Sequence, residues 1–354
     1  MRIAVTGATG NVGFAVLRRL AQDDHEVVGL ARRVPDGPIV DGRPTTWRSV
    51  DLTHITPEEL ADAFRDADAV VHLAWGFQPS HDLRYLRELG VGGTRRVVEA
   101  MAIAGVPHLV HMSSLGTYSP RVDDTPVDES WPTDGVPTSR YSNHKAAAER
   151  ILDEIEERGA VPTVTRLRPG IVGQRAAGSS LLRYGVPGVV PARALGWLPV
   201  LPLDRGLAVS VVHADDVADA VVRVLDRRAA GAFNLAADPP LTAQDIADVL
   251  GAKLVHVPSE VLRPVVSAAW HLRLQQVDTG WLDMAFALPL LDAGRARTEL
   301  GWTATRDAVS VFREVVEGMR STASGPTPVL RRRTVAQTLG DALRHGHVAR
   351  RPRP

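Results

Sequence analysis

The chain has 354 residues, enough for two domains or one large α/β domain with an embellishment, and for a core that needs neither disulfides nor a metal. Its 41 basic and 41 acidic residues cancel, so no global field draws nucleic acid or anionic lipid, and a hydrophobic fraction of 44% excludes wholesale disorder. Cysteine is absent, which removes thiol nucleophiles, disulfides and cysteine-ligated zinc together. Of the basic residues only Lys145 and Lys253 are lysine, so each raises the question of what an ammonium does that a guanidinium cannot.

In chain order, Arg2–Thr6, Glu26–Ala31, Ala69–Ala74, Leu109–Ser113 and Val164–Leu167 read as short buried strands, each ended by a breaker. Helical patterns separate them: Val12, Val16 and Leu20 fall on one face, and Leu83, Leu86, Val97, Val98 and Met101 mark a longer helical stretch ending at Gly105-Val106-Pro107. The alternation predicts an α/β fold, a doubly wound parallel sheet of Rossmann type, with a smaller, mainly helical C-terminal substrate lobe. After Pro169 the chain turns Gly/Pro-rich, then resumes with strand Ser210–His213, a helix from Asp215 and strand Phe233–Ala236. The expected division is 1–168 with 208–238 for the dinucleotide domain, and 169–207 with 239–320 for the substrate lobe. Residues 321–354 are expected to be a linker and a basic tail, Ser321–Pro328 supplying the linker and seven arginines against Asp341 supplying the charge. The start MRIAVTGATG is a strand and a glycine turn, not a signal segment. Tyr184–Leu203, the most apolar long stretch, is broken by Pro187, Pro191, Pro199 and Pro202. The expectation is a soluble cytoplasmic protein with no membrane or nucleic-acid partner.

Three motifs carry chemistry. Gly7-Ala8-Thr9-Gly10-Asn11-Val12-Gly13 joins the first strand to the first helix, where free helix N–H groups and close backbone approach suit a pyrophosphate. At the end of the second strand an acid would favour NAD; here Ala31 is followed by Arg32 and Arg33, which suit the 2′-phosphate of NADP. Tyr141 and Lys145 lie four apart on one helix face, a pairing that chance supplies about 0.02 times in a chain with four tyrosines and two lysines. The neighbouring ammonium is expected to ease the phenol down from its reference pKa of ~10. No histidine spacing indicates a metal site, and the tryptophans read chiefly as core residues, with a pocket lining as the alternative.

Together these segments resemble the extended short-chain dehydrogenase/reductase family, of the NAD-dependent epimerase/dehydratase type, over residues 1–315. The similarity also includes Asp51-Leu52, Val71-His72-Leu73-Ala74, His111-Met112-Ser113-Ser114, Arg168-Pro169-Gly170-Ile171-Val172, Val212–Ala218 and Ala296–Trp302. It implies a catalytic set of Ser114, Tyr141 and Lys145, with Tyr141 carrying the proton, Lys145 holding the nicotinamide ribose and Ser114 binding the substrate oxygen. It implies cofactor contacts from Gly7, Thr9, Gly10, Asn11, Val12, Gly13, Asp51, Leu52, Leu73, Ala74, Trp75, Tyr141, Lys145, Pro169, Gly170, Ile171 and Val172, with Arg32 and Arg33 added by the phosphate argument. Substrate-lining candidates on the surrounding loops are Phe77, Leu115, Thr117, Tyr184 and Trp197. A homodimer through the helix bearing Tyr141 would be ordinary for the family.

Departures from the family pattern narrow the chemistry. Gly90 stands where relatives carry asparagine, in Gly90-Val91-Gly92-Gly93-Thr94, and no acidic pair follows Ser114, as it does in sugar-nucleotide dehydratases. The residues that epimerases place after Arg-Pro and before the Val-His-Ala-Asp-Asp stretch are missing too. The first reading is therefore an NADP(H)-dependent oxidoreductase that transfers hydride to or from a carbonyl/alcohol pair of a fairly apolar small molecule. A nucleotide-sugar epimerase with tightly held NAD, and a non-catalytic dinucleotide-sensing protein, are the alternatives.

Overall fold

The computed structural model of the chain describes residues 1–41, 45–76, 82–185 (without side-chain detail at 183–185), 199–272 and 278–332. Seven parallel strands form the main sheet: β1 (Arg2–Thr6), β2 (Glu26–Ala31), β3 (Thr46–Ser49), β4 (Ala69–His72), β5 (His108–Met112), β6 (Thr163–Pro169) and β7 (Gly231–Leu235). Their order is β7-β6-β5-β4-β1-β2-β3, so the winding reverses beside β1. At that switch point the carboxyl ends of β1 and β4 diverge into a crevice, the place where such sheets receive ligands.

Side-chain alternation along the strands sends residues to two separate cores. Ile3 and Val5 of β1 face helices α1 (Asn11–Leu20) and α7 (Ala214–Arg227), packing with Val16, Leu17, Val217 and Val221. Ala4 faces the other way, toward α2 (Pro57–Phe64), α4 (Gly93–Ala104) and α5 (Arg140–Glu157), whose Leu60, Val97, Met101 and Leu152 are fully buried. Local chemistry sets the helix ends. Thr56 and Glu59 form a reciprocal capping box with Pro57 in the first turn of α2, and Gly105 closes α4 in the left-handed conformation at φ +69. Between α3 (Leu83–Arg87) and α4 the chain makes one π-helical segment, Glu88–Gly92.

The remainder forms α6 (Gly178–Gly185), α8 (Ala243–Leu250), α9 (Ser259–His271), α10 (Thr279–Ala287), α11 (Gly294–Leu300) and α12 (Ala308–Arg320), with three small strand pairs. One pair corrects the sequence reading. Val211–His213 is a strand, but it pairs in parallel with Ile171–Gly173 and does not join the main sheet. The segments meet so closely that a Cβ at Gly170 would lie 2.4 Å from the Ser210 carbonyl oxygen. Among the described residues no helix is long and apolar enough to cross a membrane.

The segment expected to be a linker is also different in the structure. Thr327 and Leu330 have no exposed surface; Leu330 packs with Phe14, Ala177 and Leu181, while Ser179 bonds the carbonyls of Thr322 and Ala323. The Thr327 hydroxyl donates to the Thr9 carbonyl at 2.7 Å, inside the glycine turn. Residues 333–354, the bulk of the basic tail, lie outside the described residues. Thr327→Val keeps the side-chain shape but leaves the Thr9 carbonyl without its donor. Cofactor affinity should then fall about fivefold to tenfold, the ~1 kcal/mol usual for a lost hydrogen bond. Titration of the purified variant checks this; an unchanged dissociation constant would mean the glycine turn holds its shape without the C-terminal segment.

Candidate active site

The glycine turn is built around backbone contacts that no side chain would permit. Gly7 sits at φ +69, and a Cβ there would meet the Ala74 amide nitrogen at 2.6 Å; a Cβ at Gly13 would lie 2.3 Å from the Gly7 carbonyl oxygen. The turn lets α1 begin directly above β1. Its first turn carries no acidic residue and no side-chain cap, so its N–H groups stay directed at the crevice. A cradle of this shape and polarity fits a dinucleotide pyrophosphate. Asn11 is fixed by donating to the Val172 carbonyl at 3.2 Å, and by accepting from the buried Gln174 amide at 2.7 Å. Gln174 thus ties the glycine turn to the segment after Pro169, a residue that motif reading missed.

Along the rim, Leu73 and Ala74 follow β4 and are held by the Thr6 carbonyl and hydroxyl. Ala31 is buried at the tip of β2, and the Arg32 guanidinium donates to the Tyr85 hydroxyl while lying over its ring. Arg33 is exposed. Asp51 accepts from the Thr53 amide and hydroxyl, and Leu52 is buried beneath Gly93. On the far side, Pro169 ends β6 while Ile171 is 52% exposed, an apolar face turned to solvent beside the crevice.

Ser114, Tyr141 and Lys145 converge at the carboxyl ends of β5 and α5's first turns. Ser139 caps α5, accepting from the Ser142 amide, and thereby sets the direction of the helix that carries Tyr141 and Lys145. The Ser114 and Tyr141 hydroxyls are hydrogen-bonded, and Ser114 Oγ also accepts from the Gly116 amide at 3.0 Å. A Cβ at Gly116 would lie 2.8 Å from the Tyr141 ring, so glycine is what lets the two hydroxyls meet. Trp75 stands edge-on to Tyr141 at 6.4 Å, and Trp281 of α10 lies against it at 5.2 Å. Both tryptophans thus line the crevice, against the expectation that tryptophan serves mainly the core; Trp302 does serve it, being 1% exposed.

The electrostatics correct one expectation. Burial pushes the Tyr141 phenol up to about 12, opposed by the Ser114 hydrogen bond, and the lysine does not draw it down. The reason is geometric: Lys145 Nζ donates to the Met112 carbonyl at 2.8 Å and stands 3.6 Å from the centre of the Trp75 ring. Burial also pushes Lys145 down to about 7, with Glu149 opposing. Glu149 is clasped by both Arg168 nitrogens, at 2.9 and 2.6 Å, and by Ser113 at 2.5 Å. Arg168 also reaches Tyr118, whose hydroxyl donates to Asn234 on β7. This buried network locks β6, α5 and the serine loop together beneath the site.

The substrate-lining candidates scatter. Leu115 packs with Tyr118, Val136, Leu288 and Leu291, and Thr117 is fully buried. Tyr184 lies in α6 with its side chain outside the described residues, as are Phe77 and Trp197 altogether. Among the described residues no group of three metal-ligating side chains assembles.

Residues 3–236 match the model of the NAD dependent epimerase/dehydratase family. The chain belongs to that family. A dTDP-6-deoxy-L-talose 4-dehydrogenase (NAD(P)(+)) from Kitasatospora kifunensis is 30% identical over 321 residues, spanning 89% of this chain and 94% of the relative. A 2′-dehydrokanamycin reductase from Streptomyces kanamyceticus is 28% identical over 309 residues, spanning 82% of this chain and 78% of that one. Among solved structures, MoeE5 in complex with UDP-glucuronic acid and NAD superposes with a TM-score of 0.67 at 21% identity, covering 91% of this chain and all of the other. The family member described here is accordingly an NAD(P)-dependent enzyme of the extended short-chain dehydrogenase/reductase class.

Proposed function

We propose that this enzyme is an NADP(H)-dependent oxidoreductase that transfers hydride to or from a carbonyl/alcohol pair of a fairly apolar small molecule. The observation that carries the reading is the hydrogen-bonded Ser114–Tyr141 pair, one helical turn from the buried Lys145 and beside the glycine turn. The Ser114 and Tyr141 hydroxyls hold and polarise the substrate oxygen, and Tyr141 delivers or accepts its proton. A bound nicotinamide supplies or takes up the hydride. Lys145 would hold the ribose of the bound dinucleotide, with Gly7, Gly10, Asn11 and Gly13 facing its phosphates and Asp51 and Leu52 its adenine. Trp75 and Trp281 screen Tyr141 from water and favour an apolar substrate face. The absence of an acid after Ser114, where Leu115-Gly116-Thr117 stands, speaks against elimination.

The preference for NADP rests on Arg32 and Arg33 following an alanine in place of an acid. Arg32→Ala with Arg33→Ala should narrow the affinity gap between NADP(H) and NAD(H) by about 1–3 kcal/mol, the range for charge-assisted hydrogen bonds. Equal affinities in the unmodified protein would remove the basis for that preference. The reaction itself is tested by NADPH consumption against a panel of ketones. Isomer formation with no net absorbance change would identify an epimerase; binding without either would identify a sensor.

A further inference from the structure

Lys145 is 2% exposed, yet among the described residues no carboxylate is directed at its ammonium: Glu149, one turn along α5, has its oxygens turned to Arg168 and Ser113. The cation instead faces the Trp75 ring, 3.6 Å from its centroid, an arrangement that is strongest when water is excluded. The indole is itself fixed. It stands edge-on to His111 at 6.5 Å and to Tyr141 at 6.4 Å, and its six-membered ring lies against Gly90, where a Cβ would be 3.0 Å from Cη2 and Cζ2. Gly90 is not at positive φ, so its backbone conformation does not call for glycine, and the three atoms nearest a Cβ there all belong to the indole.

We propose that Trp75 is a positioning residue for Lys145, its ring face holding the ammonium in place of a counter-ion, and that Gly90 is glycine because the indole fills the space a side chain would take. The catalytic consequence rests on the role given to Lys145 above; the contact itself does not. The other titratable groups around the ammonium are His72 on β4, His111 on β5, and Tyr141 and Glu149 on α5, while Arg166 on β6 is paired with Asp153 and Glu156. Burial holds both histidines well below their usual range, with the lysine charge adding to the effect. They are therefore neutral at the pH of interest, and the Trp75 face is the stabilising element that substitution removes.

The lysine-poor composition makes a direct test possible. With Lys145 buried and Lys253 exposed as the chain's two lysines, labelling with 13Cε/15Nζ-lysine gives one signal for each. In the full-length protein the Lys145 ε-methylene protons should be displaced upfield by the indole ring current, with a titration midpoint below the ordinary lysine range. Trp75→Phe should keep part of both effects. Trp75→Leu should abolish the ring-current displacement and lower the midpoint by about one pH unit, because the buried cation loses its facing ring. Gly90→Ala, whose methyl displaces the indole, should move both observables in the same direction, and it serves as the test if Trp75→Leu fails to fold. In turnover assays, the alkaline limb of the kcat profile should follow the NMR midpoint downward. An undisplaced Lys145 signal in the unmodified protein overturns the proposal, as does an unchanged signal and midpoint in both Trp75→Leu and Gly90→Ala. Neither result requires turnover, so this failure is distinguishable from normal activity in Lys145→Arg, which would overturn the functional reading instead.

Discussion

Lys145→Arg is expected to abolish most turnover although it preserves the charge. Lysine here presents a compact ammonium between the Met112 carbonyl and the Trp75 ring, inside a site where it is 2% exposed. A guanidinium is larger and planar, and it has no room to stack on the indole and still reach the ribose. Displacement on the ångström scale costs about 100-fold in rate, so a loss of at least that order should appear in kcat. Tyr141→Phe should also remove the chemistry while leaving cofactor affinity closer to normal, because it deletes the proton carrier and not a ribose contact. Steady-state turnover beside cofactor titration separates the two. Near-normal turnover in Lys145→Arg would show that this lysine is merely the one that remained.

The largest effect on stability is expected from Arg168→Met. The substitution leaves Glu149 buried without either Arg168 hydrogen bond, Ser113 and Arg166 being its remaining partners, and removes a donor from Tyr118. Breaking one side of a buried ion pair costs about 3–5 kcal/mol, so the thermal midpoint should drop by many degrees. The pH dependence gives a second signature. In the unmodified protein burial alone would raise the Glu149 carboxyl, but the hydrogen bonds and charge of Arg168, with Ser113 and Arg166 adding to them, hold the group below its ordinary range. Its contribution is then present above the unfolded carboxylate pKa and is lost as pH falls through the folded one. In Arg168→Met the Ser113 hydrogen bond and the Arg166 charge remain, but the largest force opposing burial is gone, so the folded carboxyl moves upward and protonation costs the fold less. The difference between the proteins should therefore shrink on mild acidification. A gap that widens toward pH 5 would show that Glu149 is not the uncompensated group.

What could be read from the sequence was whatever chemistry repeats locally. The glycine turn sits between a strand and a helix whose periods are unmistakable, and the second strand is apolar at the five successive buried positions from Val27 to Ala31. Thr46–Ser49 escaped pattern reading because it is the edge strand and mostly exposed, with no apolar run to signal it. Val211–His213 was legible as a strand, but nothing in three residues states which partner they pair with. Thr327 and Leu330 sit in a Ser/Gly/Pro-rich stretch, where isolated buried residues leave no period. At the site, the four-residue spacing of Tyr141 and Lys145 was visible, but the direction of the lysine was not. The Trp75 ring, the missing side chain at Gly90, the bond from Gln174 to Asn11 and the Gly116–Tyr141 approach all join residues distant in the chain. The lysine count hinted that Lys145 is particular; only the fold shows what it faces.

The hydrogen bond from Thr327 to Thr9 spans 318 residues of chain. During synthesis the glycine turn is made 318 residues before Thr327, and over that interval its Thr9 carbonyl lacks this donor. A nascent chain that ends before Thr327 can pair its early strands, which need only near neighbours, but it holds an unfinished nucleotide turn. Tight capture of the dinucleotide thus waits on the segment around Thr327, and it reports that this segment has docked.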